Sequence, residues 1–287
     1  MNGANADIQG IFQLAKTFDS QGDHYNAVKL YKKVLRLAPD WSDPYVQLSD
    51  LYKHRREWKP AFHYSLRVVE LNPQEAAGWY NLGISATAIK SWQMAGIAWR
   101  QLGLQEQAAP KSIADHKTPT IFLELQAPKG AKEIVSARVL DPAQAHICSV
   151  PQWTRDRGYG DRVLYDRSQI VGYRIAENKQ CPVYRELDLL KEARLNVYQI
   201  LLCEAGPEEI DLLFNLCYKS KLGFENWSNN TQTIPARTNG KIPEFYDHPD
   251  VAADEMPFVA IAAPGYRDVA EVLRTWSVVC ARDYLII

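Results

Sequence analysis

The stretch GDHYNAVKLYKKVLRLAPD, residues 22–40, is answered by REWKPAFHYSLRVVELNPQ, residues 56–74. Pro39 and Pro73 stand 34 residues apart, and in the same register Gly22, Ala27, Tyr31 and Leu37 meet Arg56, Ala61, Ser65 and Leu71. A period of 34 residues with small and aromatic side chains at fixed offsets predicts a stack of helical hairpins. Each hairpin needs neighbours to bury its apolar face. Proline after the second helix ends it, because it lacks an amide donor and clashes with the preceding turn. Extending the register predicts three units, about Ile8–Asp40, Ser42–Gln74 and Ala76–Gln107. The third lacks its proline, with Pro110 arriving late, which suits a terminal unit.

Along the first helices, large, small and aromatic residues recur as Ile11, Leu14-Ala15 and Phe18, then Tyr45, Leu48-Ser49 and Tyr52, then Trp79, Leu82-Gly83 and Ala86. Along the second they recur as Ala27, Tyr31 and Val34, then Ala61, Ser65 and Val68, then Ala95, Trp99 and Leu102. Small residues let two helix backbones approach, while aromatics fill the wedge between hairpins. Residues 1–107 thereby resemble the tetratricopeptide repeat. In that family the concave face is lined by the first helix of each hairpin and grips another polypeptide. The resemblance places Phe12, Gln13, Lys16, Asp19, Val46, Gln47, Asp50, Lys53, Tyr80, Asn81 and Ile84 there. Phe12 and Tyr80 are equally readable as inter-helix contacts. Relatives that clamp a C-terminal carboxylate use a basic residue, two asparagines and a further basic pair. Phe12, Lys16, Gln47, Ala77 and Asn81 stand at those positions, and the lone cation, Lys16, sits where an asparagine is expected. The groove is therefore read as one for a folded partner or an internal segment.

A length of 287 residues accommodates about two domains. With 33 basic and 34 acidic residues the formal net charge is −1, which removes the overall electrostatic case for nucleic acid or an anionic membrane. No apolar run is long enough to span a bilayer, and the N-terminus lacks a basic start followed by an apolar stretch. The five cysteines (148, 181, 203, 217 and 280) form no Cys-x-x-Cys pair and read as free thiols in a reducing, cytoplasmic compartment.

Beyond the repeats, residues 108–119 read as a polar, proline-bracketed linker and 120–287 as an α+β domain. Short runs rich in β-branched and aromatic residues (TIFLELQA, EIVSARVLD, HICSVP, RVLYD, IVGYRIA) make 120–185 β-rich, a small antiparallel sheet or partly closed barrel. Asp166–Gln169 is expected as a hairpin turn within it. Residues 196–287 read as strand, helix, two strands, helix, strand, a ferredoxin-like β-α-β-β-α-β segment. In that reading TQTI supplies the second strand and Pro207 to Gly223 bound the first helix. The segments ARVLDPAQAHICSVP, GYGDRVLYD, VGYRI and CPVYRELDLL, within 137–190, also resemble the C-terminal region of uncharacterised bacterial repeat proteins of toxin-immunity neighbourhoods.

Motifs for chemistry are sparse. Neither a phosphate-binding G-x-x-x-x-G-K-[ST] loop nor a dinucleotide G-x-G-x-x-G is present, and no serine lies in G-x-S-x-G. The loop from Arg157 to Arg162 reads either as an anion-contacting turn or as a hairpin entry whose arginines are offset by Asp156 and Asp161. Phe245 to Asp250, with His248 and Asp250, reads as a metal or general-base cluster, a partner-binding loop or a solvated loop. His146 and Cys148, at i and i+2 of a strand, share a face without thereby making a nucleophile pair. Trp153 and Trp227 are read as partner anchors or as core plugs. No catalytic set, cofactor or metal is expected.

The sequence-based expectation is a cytoplasmic protein–protein interaction module. Its most concrete form is a bacterial immunity protein that binds and blocks a cognate toxin. Partner-binding residues are expected at Phe12, Gln13, Lys16, Asp19, Gln47, Asp50, Lys53, Tyr80, Asn81, Trp153, Arg157, His248 and Asp250. The alternatives are an enzyme acting through the α+β domain, with the repeats as adaptor, and a scaffold or chaperone adaptor.

Overall fold

Three turns set the N-terminal unit. Gly22, Arg56 and Lys90, each 34 residues from the next, take positive φ of 80°, 58° and 63°. Each closes a Schellman motif on the helix before it. Gly22 N–H donates to the Asp19 carbonyl and Asp23 N–H to that of Phe18, both at 2.9 Å. Arg56 and Glu57 repeat the pair on Lys53 and Tyr52, and Lys90 and Ser91 repeat it on Thr87 and Ala86. The helices so punctuated are α1 (Asn2–Ser20), α2 (His24–Leu37), α3 (Ser42–His54), α4 (Trp58–Leu71), α5 (Ala76–Ala88) and α6 (Trp92–Gln101). The computed structural model describes residues 2–104, 119–128, 131–154, 156–176, 179–228, 233–234, 244–246 and 256–287. It divides into two compact units, 1–106 and 107–287. The expected linker, 108–119, lies outside the described residues apart from Pro119.

The small positions carry the helix contacts. Ala15, Ser49 and Gly83 on the first helices, and Ala27, Ala61 and Ala95 on the second, are all buried. At Gly83 an added Cβ would lie 2.4 Å from the Trp99 ring, so glycine there is what admits the indole. The first unit repeats the arrangement, with the small Ala15 on α1 in one core with the large Tyr31 on α2. The prolines also accept hydrogen bonds at one repeated offset: Tyr45 Oη–H to the Pro39 carbonyl at 3.1 Å and Trp79 Nε1–H to that of Pro73 at 2.8 Å. The tetratricopeptide-type hairpins expected from the sequence are thus present as three antiparallel helix pairs.

The second unit begins with β1 (Thr120–Gln126), β2 (Lys132–Val139), β3 (Gln144–Ile147), β4 (Arg162–Ala176) and β5 (Lys179–Lys191). These form an antiparallel meander that parallel pairing of β1 with β5 closes into a barrel. Alternate residues point inward: Leu123 and Leu125, Val135 and Ala137, Ala145 and Ile147, Val163 and Tyr165. With so few strands the lumen is narrow, and the two alanines leave room in it for the larger inward side chains. Asp166–Gln169 is not the expected turn. β4 runs through it as one strand, and the register slips where three residues bulge between the pairs Asp166↔Arg185 and Ile170↔Tyr184. Asp166 is fully buried and its carboxylate takes the Ser168 N–H (2.9 Å) and hydroxyl (2.6 Å), which turn chemistry alone does not distinguish from a hairpin.

The chain continues through β6 (Asn196–Leu202), α7 (Pro207–Lys219), β7 (Gly223–Asn226), β8 (Thr233–Ile234), β9 (Glu244–Tyr246), β10 (Phe258–Ala263), α8 (Tyr266–Cys280) and β11 (Tyr284–Ile286). A second sheet has the order β11-β6-β10-β7, with every neighbouring pair antiparallel. Its second strand in sequence is β7, directly after the α7 turn at Lys221, and not TQTI. Of that stretch, Thr233–Ile234 (β8) pairs with β2 of the barrel instead. One face of the second sheet (Ile200, Leu202, Val259, Ile261, Ala263) buries Leu213 and Cys217 of α7 and Val269, Leu273 and Trp276 of α8. No described helix is long and apolar enough to cross a membrane.

Candidate functional site

Two places merit attention, one in each unit. In the helical unit, α1, α3 and α5 present the residues that the repeat register assigns to a partner. Gln13 and Lys16 are exposed, while Asp19, Gln47, Asp50 and Tyr80 are half-exposed. Phe12, Lys53 and Asn81 are buried instead, at 5 %, 2 % and 5 % exposure. Phe12 is held by the Trp41 and Tyr31 rings at 4.6 and 5.8 Å, which fixes it as core. Lys53 Nζ donates to Asn81 Oδ1 at 2.9 Å and pairs with Asp50 Oδ1 at 2.9 Å. Asn81 Nδ2 in turn donates to Ser49 Oγ at 2.9 Å. This buried network ties α3 to α5, and a charge so placed needs those partners. The inter-helix alternative read for Phe12 is the one that holds, whereas the sequence carried no signal for the depth of Lys53 and Asn81.

Gln13, Gln47 and Asn81 fall at the same position of the three repeats, 34 residues apart. Asn81 is committed to Lys53 and Ser49. The Gln13 and Gln47 amide groups have no partner among the described residues. They leave a pair of donor–acceptor groups at equivalent positions of neighbouring hairpins. Asp19 pairs with His24 at 3.1 Å, and Asp50 with His54 at 3.4 Å, so the acidic positions beside them are each flanked by an imidazole.

The second unit holds a cleft of about 760 Å³ between the 151–161 segment and the sheet face opposite the helices. Four carboxylates build its loop wall. Glu133, on β2, accepts the N–H groups of Gln152 (2.6 Å), Trp153 (3.1 Å) and Thr154 (2.9 Å). Asp161 accepts Gly158 N–H at 2.8 Å and Ala193 N–H at 2.7 Å. Glu186, which is buried, takes Arg157 Nε and Nη2 at 3.0 and 2.8 Å, the guanidinium being partly buried. Glu225, on β7, accepts Val150 N–H at 3.3 Å, and Trp227 Nε1–H donates to the Val150 carbonyl at 2.8 Å. Charge-assisted bonds of this kind fix a loop that has no regular structure of its own. Gly223 carries the Tyr159 ring directly, since an added Cβ there would lie 2.5 Å from Tyr159 Cγ.

These ties decide the sequence alternatives. The Arg157–Arg162 loop does not offer Arg157 to an anion, because Glu186 already holds the guanidinium through two hydrogen bonds. Trp227 is a core plug against Ala260, Ala262 and Phe258, whereas Trp153 is 45 % exposed. His248 and Asp250 lie outside the described residues. Burial pushes the Cys148 thiol up to about 11, so it is protonated at neutral pH and no nucleophile. The neighbouring His146 is shifted down, first by burial and then by Arg162, and its Nδ1 lies 3.2 Å from the Gly160 carbonyl. Among the described residues no three His, Cys, Asp or Glu side chains converge as metal ligands.

No protein-family model matches the chain, and no curated protein matches it in sequence. Solved structures match its N-terminal third. The first tetratricopeptide domain of Spaghetti (RPAP3) bound to the HSP90 peptide SRMEEVD aligns at 15 % identity and a TM-score of 0.32, over 33 % of this chain and 75 % of that one. The TPR2B domain of yeast Sti1, in a complex with pHsp70, aligns at 17 % identity and a TM-score of 0.31, again over 33 % and 75 %. The K341M mutant of the Thermobaculum terrenum O-GlcNAc transferase aligns at 25 % identity and a TM-score of 0.33 over 35 % of this chain, which spans 19 % of the transferase.

Proposed function

We propose that this chain is a protein–protein interaction module whose helical stack holds a polypeptide along the face of α1, α3 and α5. The observation that carries the reading is the pair of unpartnered amides, Gln13 and Gln47, at equivalent positions of adjacent hairpins. A primary amide both donates and accepts, which suits a peptide backbone. Around them lie Lys16, Asp19 and Asp50, one cation and two carboxylates, with Asp50 paired to the buried Lys53. The carboxylate-clamp positions weigh against a C-terminal tail as the partner segment, because Phe12 is core and Asn81 is bound to Lys53.

A narrower form of the proposal is a cytoplasmic inhibitor that blocks a cognate toxin. What supports it is the resemblance within residues 137–190, together with a loop wall whose acids are engaged by backbone amides and Arg157 and so are not poised for chemistry. We likewise read residues 196–287 as ferredoxin-like. The order of fourth, first, third and second strand, with both helices on one face, supports that reading. Affinity capture from the native host, with quantified stoichiometry, tests the function. The full chain is expected to retain one protein in fixed ratio, and the Gln13→Glu, Gln47→Glu double variant to lose it. Recovery of no stoichiometric protein on the unaltered chain sinks the proposal.

A further inference from the structure

We propose that the outer face of the barrel, where β4 begins and β5 ends, binds one phosphate group through Arg162, Lys191 and His146. The site belongs to the second unit and is independent of the peptide reading of α1, α3 and α5. The pairing register makes the cluster. His146 on β3 stands opposite Arg162 on β4, and Arg162 stands opposite Lys191 on β5. The next pair along, Val163 with Leu189, turns into the barrel core. Leu190 bulges between the two pairs, so a lysine and not a leucine comes to face Arg162. Directly opposed side chains on neighbouring strands start about 5 Å apart at Cβ. Three nitrogen-bearing side chains therefore rise within reach of one tetrahedral anion seated over Arg162.

The charges at this place lack counter-charges. Lys191 is exposed and Arg162 half-buried, and neither makes an ion pair or a side-chain hydrogen bond among the described residues. Arg162 Nε is covered and has no acceptor. Like charges directly opposite each other destabilise a strand pair, a cost that a bound anion removes. The neighbouring carboxylates are committed elsewhere. Asp161 is taken by the Gly158 and Ala193 amides, Glu186 by Arg157, and Glu192 by Arg194 at 3.5 Å. Arg138 on β2, opposite His146, is engaged with the Cys148 side chain. His146 Nδ1 lies 3.2 Å from the Gly160 carbonyl, which only accepts, so Nδ1 carries the hydrogen and Nε2 is the nitrogen left to take a proton. Arg162 from β4 and Lys191 from β5 are the charges acting on the ring, and both oppose that proton. An anion between them favours it. The formal net charge of −1 supplies no broad field for a long polyanion, and the cluster spans three strands, about 10 Å. It fits a compact, doubly charged oxyanion: free phosphate or a phosphate monoester.

The test is an NMR titration of the full chain at constant ionic strength, following the amides of His146, Arg162 and Lys191. Sodium sulfate, a dianion throughout the range used, is expected to shift them saturably where sodium chloride does not. Lys191→Gln is expected to weaken sulfate at least about tenfold, yet to leave the anion-free chain as stable in urea or more so, because a like-charge contact is gone. A lysine with a merely structural role would lower stability instead. Sulfate affinity is expected to rise at least about threefold from about pH 7.5 to about 5.5, as His146 takes its proton, and His146→Gln to abolish that rise. Inorganic phosphate and a phosphoserine peptide of about ten residues are then set to compete with sulfate. Equal affinity identifies a site for the free anion, and tighter binding of the peptide identifies a phosphorylated segment; both uphold the proposal. Absence of saturation by sulfate, undiminished binding in Lys191→Gln, or a pH rise that survives in His146→Gln overturns it. So does stronger competition from single-stranded RNA without a terminal phosphate, since the face then reads a diester chain. The Gln13→Glu, Gln47→Glu variant is expected to bind sulfate normally, so failure of this site and failure of the interaction reading are distinguishable.

Discussion

Lys90 sits in the turn between α5 and α6 with φ of 63°, a conformation that crowds Cβ against the following carbonyl oxygen. At the equivalent place in the first hairpin the chain has Gly22, which takes it without that clash. Lys90 is exposed, so its side chain contributes little that would offset the strain. Lys90→Gly is therefore expected to stabilise the protein by about 0.5–1 kcal/mol, the relief of left-handed strain less the added freedom of the unfolded glycine. A rise in the urea midpoint at constant slope is the expected result, and Lys90→Ala, which keeps the Cβ, is expected to show no such gain. The 34-residue period made this position visible in the sequence. The depth of Lys53 and Asn81 was not visible, because nothing in a helical period says which polar side chains of a face will be covered by the next hairpin.

Between helices, the sizes of paired residues set how closely two backbones approach. Gly83 on α5 lies against Trp99 on α6, and a methyl group at 83 would sit 2.4 Å from the indole. Gly83→Ala raises intrinsic helix propensity, yet the overlap dominates, and a loss of about 1–3 kcal/mol is expected. Trp99→Phe alone leaves a void and is also expected to destabilise. Combined, the larger residue at 83 enters the space vacated at 99, so the double variant is expected to lose less than the two single losses added together. Strict additivity in chemical denaturation would show that the pair does not share one space. The hairpin stack was legible from this pattern of sizes, and α7 from its bounding residues Pro207 and Gly223. The barrel was less so. Its closure depends on the long-range pairing of β1 with β5, which leaves no local trace. The Asp166–Gln169 bulge mimics a turn because an Asp bonding its own backbone two residues on is common to both. For the cleft, Glu133, Glu186 and Glu225 came from three different strands, and no spacing rule joins them to residues 150–158.

At the scale of the whole chain, the division at 106 and 107 implies two cooperative transitions. The cluster around Tyr31 and Leu48 belongs to the first unit, and those around Leu123 and Trp276 to the second. Destabilising one cluster should leave the transition of the other unit in place, so Gly83→Ala labels the first by moving it alone. His146 labels the second through pH. Burial, then Arg162, lowers its folded pKa from the ordinary 6.5. Below about pH 6.5 the unfolded chain therefore binds a proton that the folded chain does not, and stability falls as acid is added, until the folded pKa is reached. Calorimetry at about pH 7.5 and about 5.5 is expected to show the second transition shifting down through this linkage. In His146→Gln that component is absent, so the second transition shifts less, while the Gly83-sensitive transition behaves as in the unaltered chain. A single transition that both substitutions move together would mean that the repeats and the α+β unit unfold as one body.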